Sequence, residues 1–280
     1  MEKSLKKYFF LFVFPTLLAF SVAFLIPFFM GFYLSFTKFT TVADAQFVGF
    51  ANYMAAFSNK DFLNAFVFTV AFTVVSVITI NVIAFFLALA LTRGIKGQNL
   101  FRTVFFMPNL IGGIVLGYIW QLILNGALLP LGYTLTTKSV FGFWGLVILM
   151  NWQMAGYMMV IYIAGIQNIP AQTLEAAKID GATPWQTLKS VILPMVMPSV
   201  TICLFLTLSN SFRLFDQNLA LTAGAPMKQT QMLALDIFNT FYGSVGSEGV
   251  GQAKAVVFSV ILSVIGFLQL YYTRKKEIES

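Results

Sequence analysis

The chain has 280 residues, of which 59% are hydrophobic and only 10% are charged, and its net charge is +7. Soluble domains carry about 25% charged and about 45–50% apolar residues, so this composition excludes a water-soluble globule and indicates a membrane protein. The basic residues stand in short polar segments rather than among aromatics on one polar face. They fit membrane orientation better than a nucleic-acid partner.

The chain contains no histidine and a single cysteine, Cys203. The absence of histidine excludes Ser-His catalysis, histidine metal sites and imidazole proton relays. A lone cysteine in an apolar run cannot form an internal disulfide and is expected to be a small packing residue. We therefore expect no catalytic residue and no metal site.

Six stretches are long and apolar enough to cross a bilayer as helices, which needs roughly 20 residues each. They predict an all-α integral membrane fold in one transmembrane domain, residues 1–280. The stretches are about 8–34, 63–92, 104–125, 141–166, 197–218 and 254–273. In the third, Gly113 and Gly117 have the spacing of a close helix contact.

Lys and Arg favour cytoplasmic segments. Most of the 17 stand in four segments that share one side when the N-terminus is inside: 1–7, 93–103, 167–196 and 274–280. Both termini are therefore expected in the cytoplasm. The outer segments are about 35–62, 126–140 and 219–253, and the glycines of the last predict a mobile or irregular loop.

Segment 167–196 is too polar to span a membrane but rich in helix formers. We expect Asn168 to cap a first helix with Pro170 in its first turn. Asp180-Gly181 would end that helix, and Thr183-Pro184 would start a second one. This helix–turn–helix could rest on the lipid surface or dock another protein, and the residues alone favour docking only slightly.

Glu175-Ala176-Ala177, then Gly181, then Val191-Ile192-Leu193-Pro194 resemble the EAA loop of ABC importer permeases. Three further segments resemble those of carbohydrate permeases: Phe47–Tyr53, Phe101–Pro108 and Leu221–Pro226. The chain is thus similar to the MalF/UgpA-like carbohydrate uptake family. The resemblance implies that residues 1–280 form a permease domain, with 167–196 as its cytoplasmic coupling loop.

The resemblance also implies the partners of this chain. It has no phosphate-binding loop of the Gly-x4-Gly-Lys-Ser/Thr type, so it would be no enzyme and hold no cofactor, and partner ATPase subunits would bind ATP and Mg. The family architecture adds a second homologous permease, two cytoplasmic ATP-binding subunits and an extracellular solute-binding protein. It implies a multi-pass protein of the bacterial inner membrane. The residues expected to dock the ATPase are Leu174, Glu175, Ala176, Ala177, Asp180, Gly181 and Pro194.

Polar residues inside the spans are the other informative group, because they usually face a bundle interior or pair together. We expect a polar substrate path, with Trp152 or Tyr157 as a stacking surface for a sugar ring. Arg213 and Asp216, three residues apart on one helical face, could instead simply neutralise each other. The substrate-path candidates are Asn151, Gln153, Tyr157, Asn210, Arg213, Asp216 and Gln217.

The function expected is therefore an ATP-driven permease for a sugar or oligosaccharide. A glycerol phosphodiester is an alternative solute within the same family. An ion-coupled secondary transporter would need buried carboxylates and an inverted repeat, and Asp216 is the lone carboxylate candidate within a span. An intramembrane protease lacks its usual Ser-His pair, and a membrane-embedded assembly protein is the remaining alternative.

Overall fold

The computed structural model describes residues 2–279, and it describes the side chains of residue 9 and of residues 11–275. The described chain is almost wholly helical, with one two-stranded antiparallel ribbon in which Thr37 pairs with Phe47. The ordered elements are α1 (Glu2–Phe20), α2 (Ile26–Leu34), β1 (Thr37–Lys38), β2 (Gln46–Phe47), α3 (Ala51–Ser58), α4 (Lys60–Leu91), α5 (Gln98–Phe106), α6 (Gly113–Leu128), α7 (Ser139–Gln167), α8 (Ala171–Ile179), α9 (Pro184–Thr187), α10 (Leu193–Met195), α11 (Met197–Phe212), α12 (Asp216–Leu221), α13 (Leu233–Gly243) and α14 (Glu248–Glu279).

Among the described residues, five helical stretches are long and apolar enough to cross a bilayer, and one bent helix pair would make a sixth. This confirms the predicted all-α membrane fold of about six spans. The five are Leu11–Leu34, Lys60–Leu91, Gly113–Leu131, Ser139–Gln167 and Glu248–Lys275, and the bent pair is Pro184–Met195 with Met197–Phe212.

The helices group into two compact units, one of Met1–Lys60 with Ile237–Ser259 and one of Asp61–Asp236 with Val260–Ser280. That residues 1–280 form a single permease domain stays a prediction. In the first unit the buried amide of Asn52 donates hydrogen bonds to the carbonyls of Ser35 (2.9 Å) and Thr37 (2.8 Å). The family-like segment Phe47–Tyr53 thus holds the ribbon in place.

The core of the second unit lies between α4, α7 and α11. Three buried polar side chains join these helices: the Tyr162 hydroxyl donates to Asn81 Oδ1 (2.7 Å), and Asn81 Nδ2 donates to Thr207 Oγ1 (3.0 Å). Cys203 is buried in the same core, as expected of a packing residue. Buried amides and hydroxyls in a membrane core are costly unless paired, so these bonds fix the register of the three helices.

The prediction of a mobile or irregular loop over 219–253 is wrong for much of that segment. It contains α13, and the irregular stretch before α13 is held by Asn218. The Asn218 amide donates to the Thr230 carbonyl (2.8 Å), and its oxygen accepts from the Met232 N–H (3.0 Å). On the surface of this loop, a 2.8 Å ion pair with Asp61 raises the pKa of Lys228.

The close contact predicted from Gly113 and Gly117 is confirmed, and its partner is α12. A Cβ atom added at Gly113 would lie 2.8 Å from Asp216 Cβ, and one at Gly117 would lie 2.5 Å from Ala220 Cβ. Both separations are too short for real side chains, so only glycine permits this approach of α6 to α12.

We predict that Gly117→Val lowers the thermal unfolding midpoint of the detergent-solubilised protein, because overpacking a tight contact costs about 1–3 kcal/mol. Gly126→Val is the matched control on the same helix, since nothing lies within 4 Å of a Cβ atom there. Equal shifts for the two variants would contradict the α6–α12 contact.

Candidate functional site

Two pairs of consecutive helices in the second unit are separated by short breaks. After α5 the chain makes a single 3-10 turn (Met107–Leu110) and two extended residues before α6 begins at Gly113. After α11 it leaves the helix at Arg213 and re-enters one at Asp216. The continuous spans predicted over 104–125 and 197–218 are therefore wrong. Pro108, which lacks an N–H, and the Gly112-Gly113 pair account for the first break.

The two breaks and the middle of α7 line one cavity of about 430 Å³, which we call the polar cavity. Irregular backbone at membrane depth is tolerated where it is buried in protein or lines a water-filled cavity, so this cavity explains why both breaks persist. Its lining residues are Asn109, Met150, Gln153, Met154, Asn210, Arg213, Leu214, Phe215, Asp216 and Gln217.

Gln153 connects two walls of this cavity through hydrogen bonds. Its Oε1 accepts a 2.7 Å hydrogen bond from Gln217 Nε2 on α12, and its own Nε2 donates to the Ile111 carbonyl (3.4 Å) in the first break. Gln153 lies at the midpoint of α7, about 21 Å from either end at 1.5 Å per residue. The cavity thus lies beside the middle of this candidate membrane span.

Five of the seven predicted substrate-path residues line this cavity: Gln153, Asn210, Arg213, Asp216 and Gln217. Asn109 also lines it and was missed, although the Pro108 before it signalled a helix break. The other two predicted residues lie elsewhere. Asn151 donates to Thr79 Oγ1 (2.9 Å), and Tyr157 packs its ring against Phe106, with 6.2 Å between the ring centroids.

Asn151 and the predicted stacking residue Trp152 line a second, mainly apolar cavity of about 340 Å³. The Trp152 ring packs edge-on against Trp120, with centroids 5.5 Å apart. Neither side chain lines the polar cavity.

Arg213 and Asp216 do not neutralise each other. Both side chains are exposed, and in the described part of the chain no ion pair within 4 Å joins them. Their predicted position on one helical face is also wrong, because Arg213 follows the end of α11 and Asp216 begins α12. One positive and one negative group therefore border the cavity unpaired.

The predicted helix–turn–helix over 167–196 is present. Gly181 has a left-handed φ of +74°, and the N–H groups of Gly181 and Ala182 bond to the carbonyls of Lys178 (3.1 Å) and Ala177 (2.9 Å), which is a Schellman ending of α8. At the start of α9, Thr183 and Gln186 cap each other reciprocally, as in a capping box.

The predicted cap of the first helix is wrong. Helix α7 continues to Gln167 and Asn168 ends it, whereas Pro170, with an extended ψ of 133°, precedes the first residue of α8. Because Asn168 still has helical backbone angles, its side chain makes no cap for α8.

The predicted docking residues do not all lie on one exposed surface of α8 and the turn that follows it. Glu175, Ala176, Asp180 and Gly181 are exposed, whereas Ala177 is buried, Leu174 packs against the core, and Pro194 is half-buried. That these residues dock an ATPase stays a prediction.

Two large exposed side chains of this loop were not among the predicted docking residues. Ile179 is 86% exposed, and Trp185 is 68% exposed. Ile179 lies on the face of Glu175 and Ala176, and the i, i+3, i+4 spacing of these residues was the available signal.

A sharp bend connects the helix–turn–helix over 167–196 to the cavity. The axes of Pro184–Met195 and Met197–Phe212 differ by 71°. The bend residue Val196 is fully buried, and it packs so closely on Gly165 of α7 that a Cβ atom there would lie 2.7 Å from Val196 Cγ1. Helix α11 therefore runs from this bend to Arg213 at the cavity.

The family model described as the binding-protein-dependent transport system inner membrane component matches residues 80–278. The chain belongs to this family. The predicted ABC importer permease is thereby confirmed, and membership in this permease family decides against a secondary transporter, a protease and an assembly protein.

Two similar proteins align with almost the whole length of this chain. The probable starch degradation products transport system permease protein AmyD of Thermoanaerobacterium thermosulfurigenes is 45% identical over 97% of this chain and 96% of its own. The multiple sugar-binding transport system permease protein MsmF of Streptococcus mutans is 32% identical over 99% of each.

A solved bacterial ABC transporter that imports alginate contains a chain with the same fold. It superposes with a TM-score of 0.84 at 20% identity and covers 98% of each chain. At that identity the similarity concerns the fold alone, and it agrees with the helical permease architecture described above.

We predict that a double-mutant cycle of Arg213→Gln and Asp216→Asn gives a coupling energy near zero in thermal unfolding, because the two charges are not in contact. Lys228→Gln with Asp61→Asn is the control cycle, for which the 2.8 Å pair predicts about 0.2–1 kcal/mol. A coupling of Arg213 to Asp216 as large as in the control would contradict the open cavity.

Proposed function

We propose that this permease subunit forms part of the translocation path for a neutral sugar or oligosaccharide and that ATP hydrolysis on partner subunits drives the transport. The cavity between the two broken helices carries the proposal. It lies at mid-membrane depth and presents amide and charged groups in an otherwise apolar chain.

The chemistry of the cavity suits a hydroxyl-rich solute. The side-chain amides of Asn109, Gln153, Asn210 and Gln217 each offer both donors and acceptors. Arg213 and Asp216 bring one charge of each sign, so the lining has no net charge to favour an anion. This supports a neutral sugar over a glycerol phosphodiester, and the printed names of AmyD and MsmF, which refer to starch products and to sugars, support the same class.

The exposed face of α8 is proposed as the surface that docks an ATP-binding subunit. Glu175 would supply a charged contact there, Ala176 would permit close approach, and Ile179 would add apolar area. The inward residues Leu174 and Ala177 would seat the helix on its own chain. Displacement of α8 and α9 would reach Arg213 through the 71° bend and α11.

The assembly proposed is that of a binding-protein-dependent importer. It contains a second homologous permease, two cytoplasmic ATP-binding subunits that hold ATP and Mg, and an extracellular solute-binding protein. This chain holds no cofactor of its own. Both termini would face the cytoplasm, because that orientation puts most of the Lys and Arg residues inside.

Uptake by the purified complex in proteoliposomes tests the solute class. With its binding protein outside and ATP inside, the complex should accumulate labelled maltooligosaccharides and should not accumulate a glycerol phosphodiester. Accumulation of the phosphodiester alone would overturn the sugar assignment, and uptake of either solute without ATP would overturn the ATP-driven mechanism.

We predict that Glu175→Lys lowers binding-protein-stimulated ATP hydrolysis by the complex about tenfold, which corresponds to about 1.4 kcal/mol lost from a charged contact. Lys96→Glu, a charge reversal in another predicted cytoplasmic segment, should leave hydrolysis within twofold of the wild type. Unchanged hydrolysis in Glu175→Lys would mean that another surface docks the ATPase.

A further inference from the structure

A third cavity, a groove on the surface of the chain, shares no lining residue with the polar cavity. It has a volume of about 490 Å³ and runs between the last turns of α4 and the short helix α9. Its wall is apolar except for one cation, and the residues that form it include Phe86, Leu89, Ala90, Trp185, Leu188 and Arg93.

Two aromatic side chains in the apolar wall are exposed on the surface of the chain. The Phe86 side chain is 58% exposed and that of Trp185 is 68% exposed. Exposed apolar side chains are common in this membrane chain, and here two aromatic ones line a groove that an acyl chain can occupy.

The depth of the groove follows from the length of α4. At 1.5 Å per residue its 32 residues extend about 48 Å, which is slightly more than the roughly 40–45 Å of a bilayer with its headgroups. Arg93, just past the last residue of α4, therefore lies at headgroup level. Phe86 lies five residues before the last residue of α4, about 8 Å nearer the membrane centre than that end of the helix.

The charge at the rim is free. Arg93 is exposed, and in the described part of the chain no carboxylate lies within 4 Å of it. Lys189, next to Leu188 in sequence, is also exposed and adds a second cation to the loop that carries α9. Cations at headgroup level attract anionic lipid, at about 1 kcal/mol for each basic residue near the surface.

We propose that this groove binds one anionic phospholipid of the membrane leaflet that faces α9. The acyl chain lies along Phe86, Leu89 and Trp185, and the phosphate group contacts the Arg93 guanidinium, which can offer it two parallel hydrogen bonds. This site does not depend on the solute or on the ATPase contact proposed above.

Native mass spectrometry of the purified complex tests the headgroup contact. Phosphatidylglycerol and phosphatidylcholine with the same acyl chains are titrated against the wild type, Arg93→Gln and Lys96→Gln. We expect Arg93→Gln to weaken phosphatidylglycerol binding about fivefold, with phosphatidylcholine binding unchanged. Lys96, an exposed cation outside the groove, serves as the control and should change binding less than twofold. Equal effects of the two variants, or none, would overturn the proposal.

Fluorescence quenching by phospholipid brominated on its acyl chain tests the apolar wall. The difference between the wild type and Trp185→Phe isolates the emission of Trp185. We expect brominated phosphatidylglycerol to quench this emission more than brominated phosphatidylcholine does, and Arg93→Gln to remove that preference. Absence of quenching by either lipid would show that a protein segment, such as a helix of the partner permease, fills the groove, and it would overturn the proposal.

Discussion

The satisfaction of backbone hydrogen bonds inside the bilayer is the constraint on which this structure depends. In hydrocarbon, an unpaired peptide group costs several kcal/mol, so α4 and α7 run as long unbroken helices. The chain departs from this rule between α5 and α6 and between α11 and α12, and both departures line the same polar cavity. Gln153 donates to a carbonyl freed by the first break. The rule that fixes the fold therefore also locates the site.

The same need to pair buried polar groups also connects α4, α7 and α11 through side-chain hydrogen bonds. Because α11 is hydrogen-bonded to α4 through Asn81 and Thr207, and α4 to α7 through Tyr162, the three helices are held in one register. The 71° bend at Val196 joins this rigid group to the exposed helix pair α8 and α9. On the proposed function, a force on the helix pair would be carried to the end of α11, at the edge of the cavity.

Features with a local cause were predictable from the sequence. Apolar runs predicted about six spans, though not the two breaks, and Gly181, Thr183 and Pro184 predicted the turn between α8 and α9, because each of these residues acts on its immediate neighbours. The break after α11 was not predictable, since Arg213-Leu214-Phe215 contains neither proline nor glycine. Asn218 follows the predicted path residue Gln217 in the sequence, but it is buried and holds the following loop. Its role depends on contacts between distant segments.

Thiol accessibility tests most directly whether the two breaks open to a water-filled path. Cys203 is the only native cysteine, so single cysteines can be placed in a Cys203→Ser background at Asn109, at Arg213 and, as a control, at Ile202, an exposed apolar position on α11. The account predicts that a membrane-impermeant thiol reagent labels the first two rapidly, because water there supports the reactive thiolate, and labels position 202 slowly. Equal labelling of all three, or none at 109 and 213, would contradict it.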